Sequence, residues 1–254
     1  MSDPPASLIP PDLSATLVLV RHGETTWIVQ NRFQGKRNPW LTARGRAQAE
    51  AVARRLADPL APPPLPIPAA PPVGIWHSPL KRARDTATAI SELVRVPLVA
   101  DERLAEIGQG EWEARSHREV AALGDGLEAW RRDPLANSAP GGETLRAARP
   151  RVDAALRAIL GALGGAGVGT GKASSWAIVV SHGGTMRVAL LLLLGIPLTR
   201  FWAFPFEPGA ITIVELADGQ ASLRAHNLAA HLAVAGADDD APVSAASVDR
   251  GGAL

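Results

Sequence analysis

Two adjacent basic side chains, Arg21 and His22, end an aliphatic run, "LVLV", and are followed at once by Gly23. Neighbouring cationic or near-cationic side chains repel each other unless an anion lies between them. A net charge of only +1 means that any anion recognition by this chain must be local. We therefore interpret the pair as part of a phosphate site.

Two further strand candidates are followed by residues of the same kind. The run "VGIWH" precedes "SPLKR", which contains Arg82, and "WAIVV" precedes "SHGGTMR", which contains His182. In sheets of parallel strands, ligands bind beyond the carboxyl ends of the strands. Each motif alone is typical of a surface pair, a capped helix or a core histidine. Their occurrence at three strand ends favours one shared anion site.

The segment after the second strand predicts a helix that points its N-terminus at this site. Ser78 and Pro79 are a favourable N-cap and first-turn pair. Arg82 and Arg84 are two residues apart, which places them about 200° apart around a helix. We therefore expect Arg82 or Arg84, but not both, to face the site.

The remaining elements predict an α/β fold. Strands alternate with helical patterns, so we expect a three-layer α/β/α sandwich whose sheet is mainly parallel, with helices on both faces and a final hairpin. The predicted strands are 16–20, 73–77, 96–100, 176–180, 210–216 and 221–226. Helices are predicted from Thr42, from Ser78 and over 143–164.

Composition excludes several classes of protein. The 254 residues include no cysteine, which excludes disulfides and cysteine-type phosphatases. The near-neutral charge argues against nucleic acid or an anionic membrane as partner. The apolar run 188–197 is too short to span a bilayer, and no targeting segment is evident at the N-terminus. We expect a soluble, cytoplasmic protein.

The domain prediction is one domain over residues 15–232. Residues 1–14 and 233–254 are rich in Pro, Ala, Asp and Ser and predict disordered termini, so the aspartates at 238–240 are interpreted as solvated charge. A proline-rich stretch at 58–74 predicts a stiff loop, and a glycine-rich stretch at 161–175 predicts a flexible one.

Seven ordered motifs resemble the histidine phosphatase superfamily, in the branch that contains cofactor-dependent phosphoglycerate mutases and broad-specificity phosphatases. The resemblance spans about residues 16–232 and implies a phosphoglycerate mutase-like fold. Its motifs are "RHGETTW", "NRFQG", "LTARGRAQA", "SPLKRARDTA", "LAEIGQGEWEAR", "PGGET" and "SHGGTMR".

The resemblance implies a role for each site residue. His22 is the nucleophile and Glu106 the proton donor, while Arg21, Arg82 and His182 bind phosphate. Arginines beside a histidine disfavour the imidazolium form, which leaves a neutral imidazole able to attack phosphorus. The implied substrate contacts are Thr25, Gln34, Gly35 and Gly183, with no metal and no other cofactor. Competing carboxylates are Glu24, Glu111 and Glu113.

The expected function is metal-independent hydrolysis of a small phosphorylated metabolite through a phosphohistidine. A phosphoglycerate mutase is one alternative, because "WRR" at 130–132 resembles a paired-arginine substrate clamp. A non-catalytic phosphate-binding or regulatory protein is another. It is motivated by departures from the family pattern at Ile28, Asn38, Trp40 and Ala114. The sequence does not indicate the natural substrate or the oligomeric state.

Overall fold

The computed structural model describes residues 7–167 and 175–236, and within these ranges the chain forms one six-stranded sheet. The strands are β1 (Ala15–Arg21), β2 (Ile75–His77), β3 (Leu98–Ala100), β4 (Ser175–Ser181), β5 (Ile211–Ala217) and β6 (Gln220–Leu228). Their order is β3-β2-β4-β1-β5-β6. Strands β3, β2, β4 and β1 are parallel, whereas β5 runs antiparallel to both of its neighbours. The mainly parallel sheet and the final hairpin are confirmed.

Helices cover both faces of the sheet, as predicted. They are α1 (Thr26–Val29), α2 (Ala43–Ala57), α3 (Lys81–Val94), α4 (His117–Ala121), α5 (Gly126–Arg132), α6 (Leu145–Gly167) and α7 (Gly183–Leu193). Short 3₁₀ turns occur at Glu102–Leu104, Gly110–Trp112, Leu198–Ala203 and Ala230–Gly236.

Side chains that alternate along β1 point to two separate cores. Leu17 and Leu19 pack with apolar residues of α6 and α7, whereas Val18 and Val20 pack with those of α2 and α3. This alternation follows from the two-residue period of a strand. The central strands are therefore buried on both faces, which fixes their register and holds their carboxyl ends in place.

The start of α3 corrects the sequence prediction. Ser78 is not the N-cap residue: the helix begins at Lys81, after Leu80. The amide of Lys81 donates instead to Asn38 Oδ1 at 2.8 Å. The Ser78 hydroxyl is engaged elsewhere, by His182 Nε2 at 2.7 Å.

The predicted disorder of the N-terminal segment is wrong for residues 7–14. Ile9 and Leu13 are buried in the core that α6 and α7 share. Local composition misses this contact because the apolar surface that covers the two side chains is distant in sequence.

At the C-terminal end, the turn Ala230–Gly236 crosses the predicted domain boundary at 233. Residues 1–6 and 237–254, including the three aspartates, lie outside the described residues.

Of the two predicted loop insertions, the proline-rich stretch is a loop and the glycine-rich stretch begins as helix. Residues 161–167 continue α6, because Leu163 extends its buried stripe, so the flexible loop prediction is wrong there, and residues 168–174 are not described. The proline-rich stretch 58–74 is anchored by buried Leu65 and by a bond from Trp176 Nε1 to Ala70 O at 2.5 Å. Across the described ranges, every helix is too short or too polar to cross a membrane.

Candidate active site

Three neighbouring strand ends bring the predicted residues together. Arg21 is in register with Ser181 across β1 and β4, and His77 is in register with Val180 across β2 and β4. We call Arg21, His22, Arg82 and His182 the phosphate pocket; all four are at most 7% exposed.

His22 is held with one ring nitrogen ready for attack. Its Nδ1 lies 2.7 Å from the carbonyl oxygen of Gly23, and its Nε2 accepts a hydrogen bond from Arg82 Nε at 3.0 Å. Both contacts require the tautomer with hydrogen on Nδ1 and a lone pair on Nε2. Burial lowers the pKa of His22 well below its ordinary value, and the charges of Arg82 and then Arg21 lower it further. The ring is therefore neutral at pH 7.

Arg82 is fixed by three hydrogen bonds. Besides His22, its guanidinium donates to Arg37 O at 2.7 Å and to Gly35 O at 2.9 Å. Burial lowers the pKa of Arg82 to about 10, so it stays charged at pH 7. Arg84 is exposed and lies 3.6 Å from Asp85. The prediction that the two arginines lie on different faces of α3 is confirmed.

Arg21 is oriented by the segment that follows α7. Its Nη1 donates to Phe206 O at 2.6 Å. Burial lowers its pKa, and the carboxylates of Glu106 and Glu207 oppose that shift. The two guanidinium groups thus approach His22 from different elements, β1 and α3.

His182 presents a second neutral imidazole, 5.1 Å from that of His22 between ring centroids. Burial lowers its pKa well below the ordinary value, and the charge of Arg82 adds to the shift. Its Nε2 bonds the hydroxyl of Ser78, which itself accepts from Leu80 N at 3.2 Å and so has its hydrogen available to donate. When the hydroxyl donates to Nε2, the ring hydrogen lies on Nδ1, which is buried without a partner in the described structure. In this tautomer His182 can donate to a bound phosphate.

Glu106 lies at the N-terminus of α7, 1% exposed. Its Oε1 accepts from Ile107 N at 2.8 Å, from Thr185 N at 3.0 Å and from the Thr185 hydroxyl at 3.3 Å. Among the described residues, Oε2 accepts only from Gly184 N, at 3.2 Å. Oε2 therefore has fewer hydrogen-bond donors than Oε1.

The competing carboxylates have other partners or stay in solvent. Glu24 accepts from the Thr42 hydroxyl at 2.8 Å. Glu113 accepts from Lys36 N at 3.0 Å and lies 3.2 Å from the Arg37 guanidinium. Glu111 is exposed. These positions favour Glu106 as the acid.

The four implied substrate contacts lie close to the pocket. Thr25 donates to Gln34 Oε1 at 2.8 Å, which leaves the buried Gln34 Nε2 without a partner in the described structure. Gly35 directs its carbonyl to Arg82 and has a φ of +47°, where a side chain would also collide with Glu113. Gly183 faces Arg21, because a Cβ there would lie 3.4 Å from the Arg21 Cζ. Their contacts to substrate stay a prediction.

Sequence reasoning missed two side chains at the site, Ser78 and Arg187. Ser78 was interpreted as a helix cap, although its hydroxyl orients His182. Arg187 lies within "SHGGTMR" and is only 7% exposed. The helical period gave no signal for it, because five residues from His182 turn a helix by about 500°, which is about 140° beyond one full turn.

The four departures from the family pattern leave the pocket intact. Asn38 caps α3, and Trp40 is 65% exposed beneath Lys81 Nζ, which lies 4.3 Å from its ring centroid. Ala114 has a φ of +71°, a left-handed conformation that favours glycine and costs about 1 kcal/mol for alanine. Ile28 lies in α1, where its amide donates to the Thr25 hydroxyl at 3.2 Å.

The two buried imidazoles predict a stability that falls in mild acid. Both pKa values are lowered on folding, so below the ordinary value of 6.5 the unfolded chain binds protons that the folded chain does not. The stability is fully present above this value and is lost as pH falls below it. The loss per histidine should be on the order of 1 kcal/mol at pH 5.5. Denaturant unfolding at pH 7.5 and 5.5 measures it.

A matched variant separates the contribution of His22 to this pH dependence from that of the rest of the chain. His22→Gln should reduce that pH-dependent loss by the share of one histidine, on the order of 1 kcal/mol. An unchanged loss in this variant would show that His22 is not buried in its neutral form.

Comparisons with known proteins agree with this geometry. A model of the histidine phosphatase superfamily (branch 1) matches residues 17–229, a range that includes every residue of the phosphate pocket and Glu106. The chain belongs to this superfamily.

The chain is similar to proteins named as phosphatases and to one named as a probable mutase. Phosphoserine phosphatase 1 of Hydrogenobacter thermophilus is 29% identical over 220 residues, which cover 85% of this chain and 93% of that protein. The probable phosphoglycerate mutase GpmB of Proteus mirabilis is 33% identical over 186 residues, which cover 70% and 74%. The solved structure of a mycobacterial glucosyl-3-phosphoglycerate phosphatase in complex with VO3 aligns with a TM-score of 0.71 at 27% identity, covering 84% of this chain and 99% of that one.

Proposed function

We propose that this chain is a phosphomonoesterase that transfers a phosphoryl group from a small phosphorylated metabolite to His22 Nε2 and then to water. The observation that carries the proposal is the Nε2 lone pair of a buried, neutral His22, held 3.0 Å from Arg82 Nε with Arg21 and His182 beside it. A nucleophile and a set of cationic donors at one point are what phosphoryl transfer requires.

In the first step, Arg21 and Arg82 bind the phosphoryl oxygens and His182 Nδ1 donates to the same group. His22 Nε2 forms a bond to phosphorus while the bond from phosphorus to the ester oxygen breaks. The arginines stabilise the charge that spreads over the equatorial oxygens. The leaving alkoxide takes the proton from Glu106 Oε2, the oxygen with one hydrogen-bond donor.

In the second step, water replaces the leaving group. The carboxylate of Glu106, now ionised, accepts a proton from this water, whose oxygen attacks phosphorus. The bond from phosphorus to His22 Nε2 breaks, which restores the neutral ring and releases inorganic phosphate. The Nδ1 contact to Gly23 O holds the ring in the same tautomer throughout.

The relatives and the α5 region favour hydrolysis over the mutase alternative. Two of the similar proteins are named as phosphatases, one for phosphoserine and one for glucosyl-3-phosphoglycerate. A substrate clamp at the end of α5 would need two arginines that both turn toward a ligand. Arg131 instead lies 3.0 Å from Glu128 and contacts His117, and Arg132 is exposed. Mutase activity is kept as the second candidate because of the similar probable mutase.

Turnover of an aryl phosphate in the presence of excess chelator tests the proposal. The steps above use no metal ion, so the rate should be unchanged. Arg82→Ala should reduce kcat/KM by about 10³-fold, because it removes a charged donor from the transition state. Arg84→Ala, on the exposed face of the same helix, is the matched control and should change the rate less than about twofold.

Two results would contradict the proposal. A rate abolished by chelator would indicate metal-dependent chemistry, and equal losses in Arg82→Ala and Arg84→Ala would show that the pocket is not the reacting site. The cytoplasmic location and the absence of nucleic-acid and membrane partners stay predictions.

A further inference from the structure

The mechanism above does not use Arg187, a buried guanidinium on α7. Its Nε donates to Phe204 O at 3.1 Å, and its Cζ lies 5.2 Å from the ring centroid of Trp202 and 5.6 Å from that of Phe201. Its Nη1 is buried and has no hydrogen-bond partner in the described structure. One donor group of a charged side chain is therefore left unsatisfied.

This free nitrogen adjoins the phosphate pocket. The position that a Cβ on Gly183 would occupy lies 3.4 Å from Arg187 Nη1 and also 3.4 Å from Arg21 Cζ. Burial lowers the pKa of Arg187 to about 10, and the charge of Arg21 adds to this shift. Arg187 is thus a third cation beside Arg21 and Arg82.

No carboxylate of the described residues forms a salt bridge with Arg187, although the charge of Glu106 acts on it. A buried cation without an ion-pair partner is costly to fold, and such groups concentrate at functional sites. The aromatic rings of Trp202 and Phe201 offset part of this cost through cation–π contacts. Neither these contacts nor the bond to Phe204 O uses the buried Nη1.

We propose that Arg187 binds a carboxylate on the leaving group, so that the preferred substrates are small phosphomonoesters with a carboxylate a few bonds from the ester oxygen. This inference rests on the proposed function. The charges are complementary: Arg21 and Arg82 face the phosphate, and Arg187 adds a positive charge and an unused donor at Nη1 for a carboxylate. The nearness of Nη1 to Arg21 requires that the carboxylate be close to the ester.

Two pairs of esters that differ only at the carboxylate test the proposal. They are 3-phosphoglycerate against glycerol 3-phosphate, and O-phosphoserine against O-phosphoethanolamine. For each pair the readout is the ratio of the two kcat/KM values. The wild-type ratio should favour the carboxylate ester, and Arg187→Met should lower that ratio by about 10- to 100-fold, the effect of one lost charge-assisted hydrogen bond. Arg187→Lys should restore part of it.

Controls separate this result from misfolding and from failure of the proposed function. Arg200→Met removes an exposed arginine of the neighbouring 3₁₀ turn and should leave both ratios unchanged. Equal losses on both members of each pair in Arg187→Met, or a wild-type ratio near one, would overturn the Arg187 assignment while aryl phosphate turnover continues. Absence of any turnover in the wild type, aryl phosphate included, would overturn the proposed function and this inference with it.

Discussion

Replacement of His22 by alanine is expected to abolish phosphomonoester hydrolysis, with a loss in kcat on the order of 10⁵-fold, as for other enzymes that lose their nucleophile. The nearest second imidazole cannot substitute, because His182 Nε2 is bound to the Ser78 hydroxyl and the two rings lie 5.1 Å apart between centroids. The measurement is steady-state turnover of an aryl phosphate.

The control for His22→Ala is a second variant of similar volume. His22→Gln keeps most of the packing and should be equally inactive, and thermal unfolding should show that both variants fold. An active, folded His22→Ala protein would overturn the assignment of the nucleophile.

The second large effect is expected for Glu106→Gln, and its size should depend on the leaving group. An alkyl ester needs a proton on its departing oxygen, so its kcat/KM should fall by about 10³-fold, within the range of general acid catalysis. A nitrophenyl ester leaves as a stable anion and should lose only about 10-fold in the same parameter. The measurement is kcat/KM for both esters in both proteins.

Glu113→Gln is the matched control for that experiment. Glu113 is the competing carboxylate that contacts Lys36 N and the Arg37 guanidinium, so any loss should be the same for both esters. If Glu106→Gln slowed the alkyl and aryl esters by the same factor, Glu106 would position substrate rather than donate a proton.

The phosphate pocket was predictable from the sequence because a simple rule of topology places it. Parallel strands end at one edge of the sheet, so Arg21, His22 and His182 had to meet there once the strands were recognised. The helical period predicted that only one of Arg82 and Arg84 faces the pocket, and the resemblance to the superfamily implied Arg82. The structure agrees, because Arg82 is fully buried and Arg84 is exposed.

Other features depended on contacts between distant segments and were not predictable in this way. Ser78 has the local context of a helix cap, but His182, from another strand, engages its hydroxyl. Ile9 has the local context of a disordered terminus, yet it packs against the core. The role proposed for Arg187 depends on the absence of a carboxylate partner among the described residues, and a missing tertiary contact leaves no mark in the sequence.

The most direct test of the phosphohistidine mechanism is to trap the intermediate. Glu106→Gln should still accept the phosphoryl group of an aryl phosphate but should activate water poorly, so the phosphorylated protein should accumulate. Samples quenched in alkali, which preserves the phosphorus–nitrogen bond, are then examined by peptide mass spectrometry. The account predicts close to one phosphoryl group per chain, located on His22. Continued release of the aryl alcohol with no phosphate on the protein, or with phosphate on another residue, would contradict it.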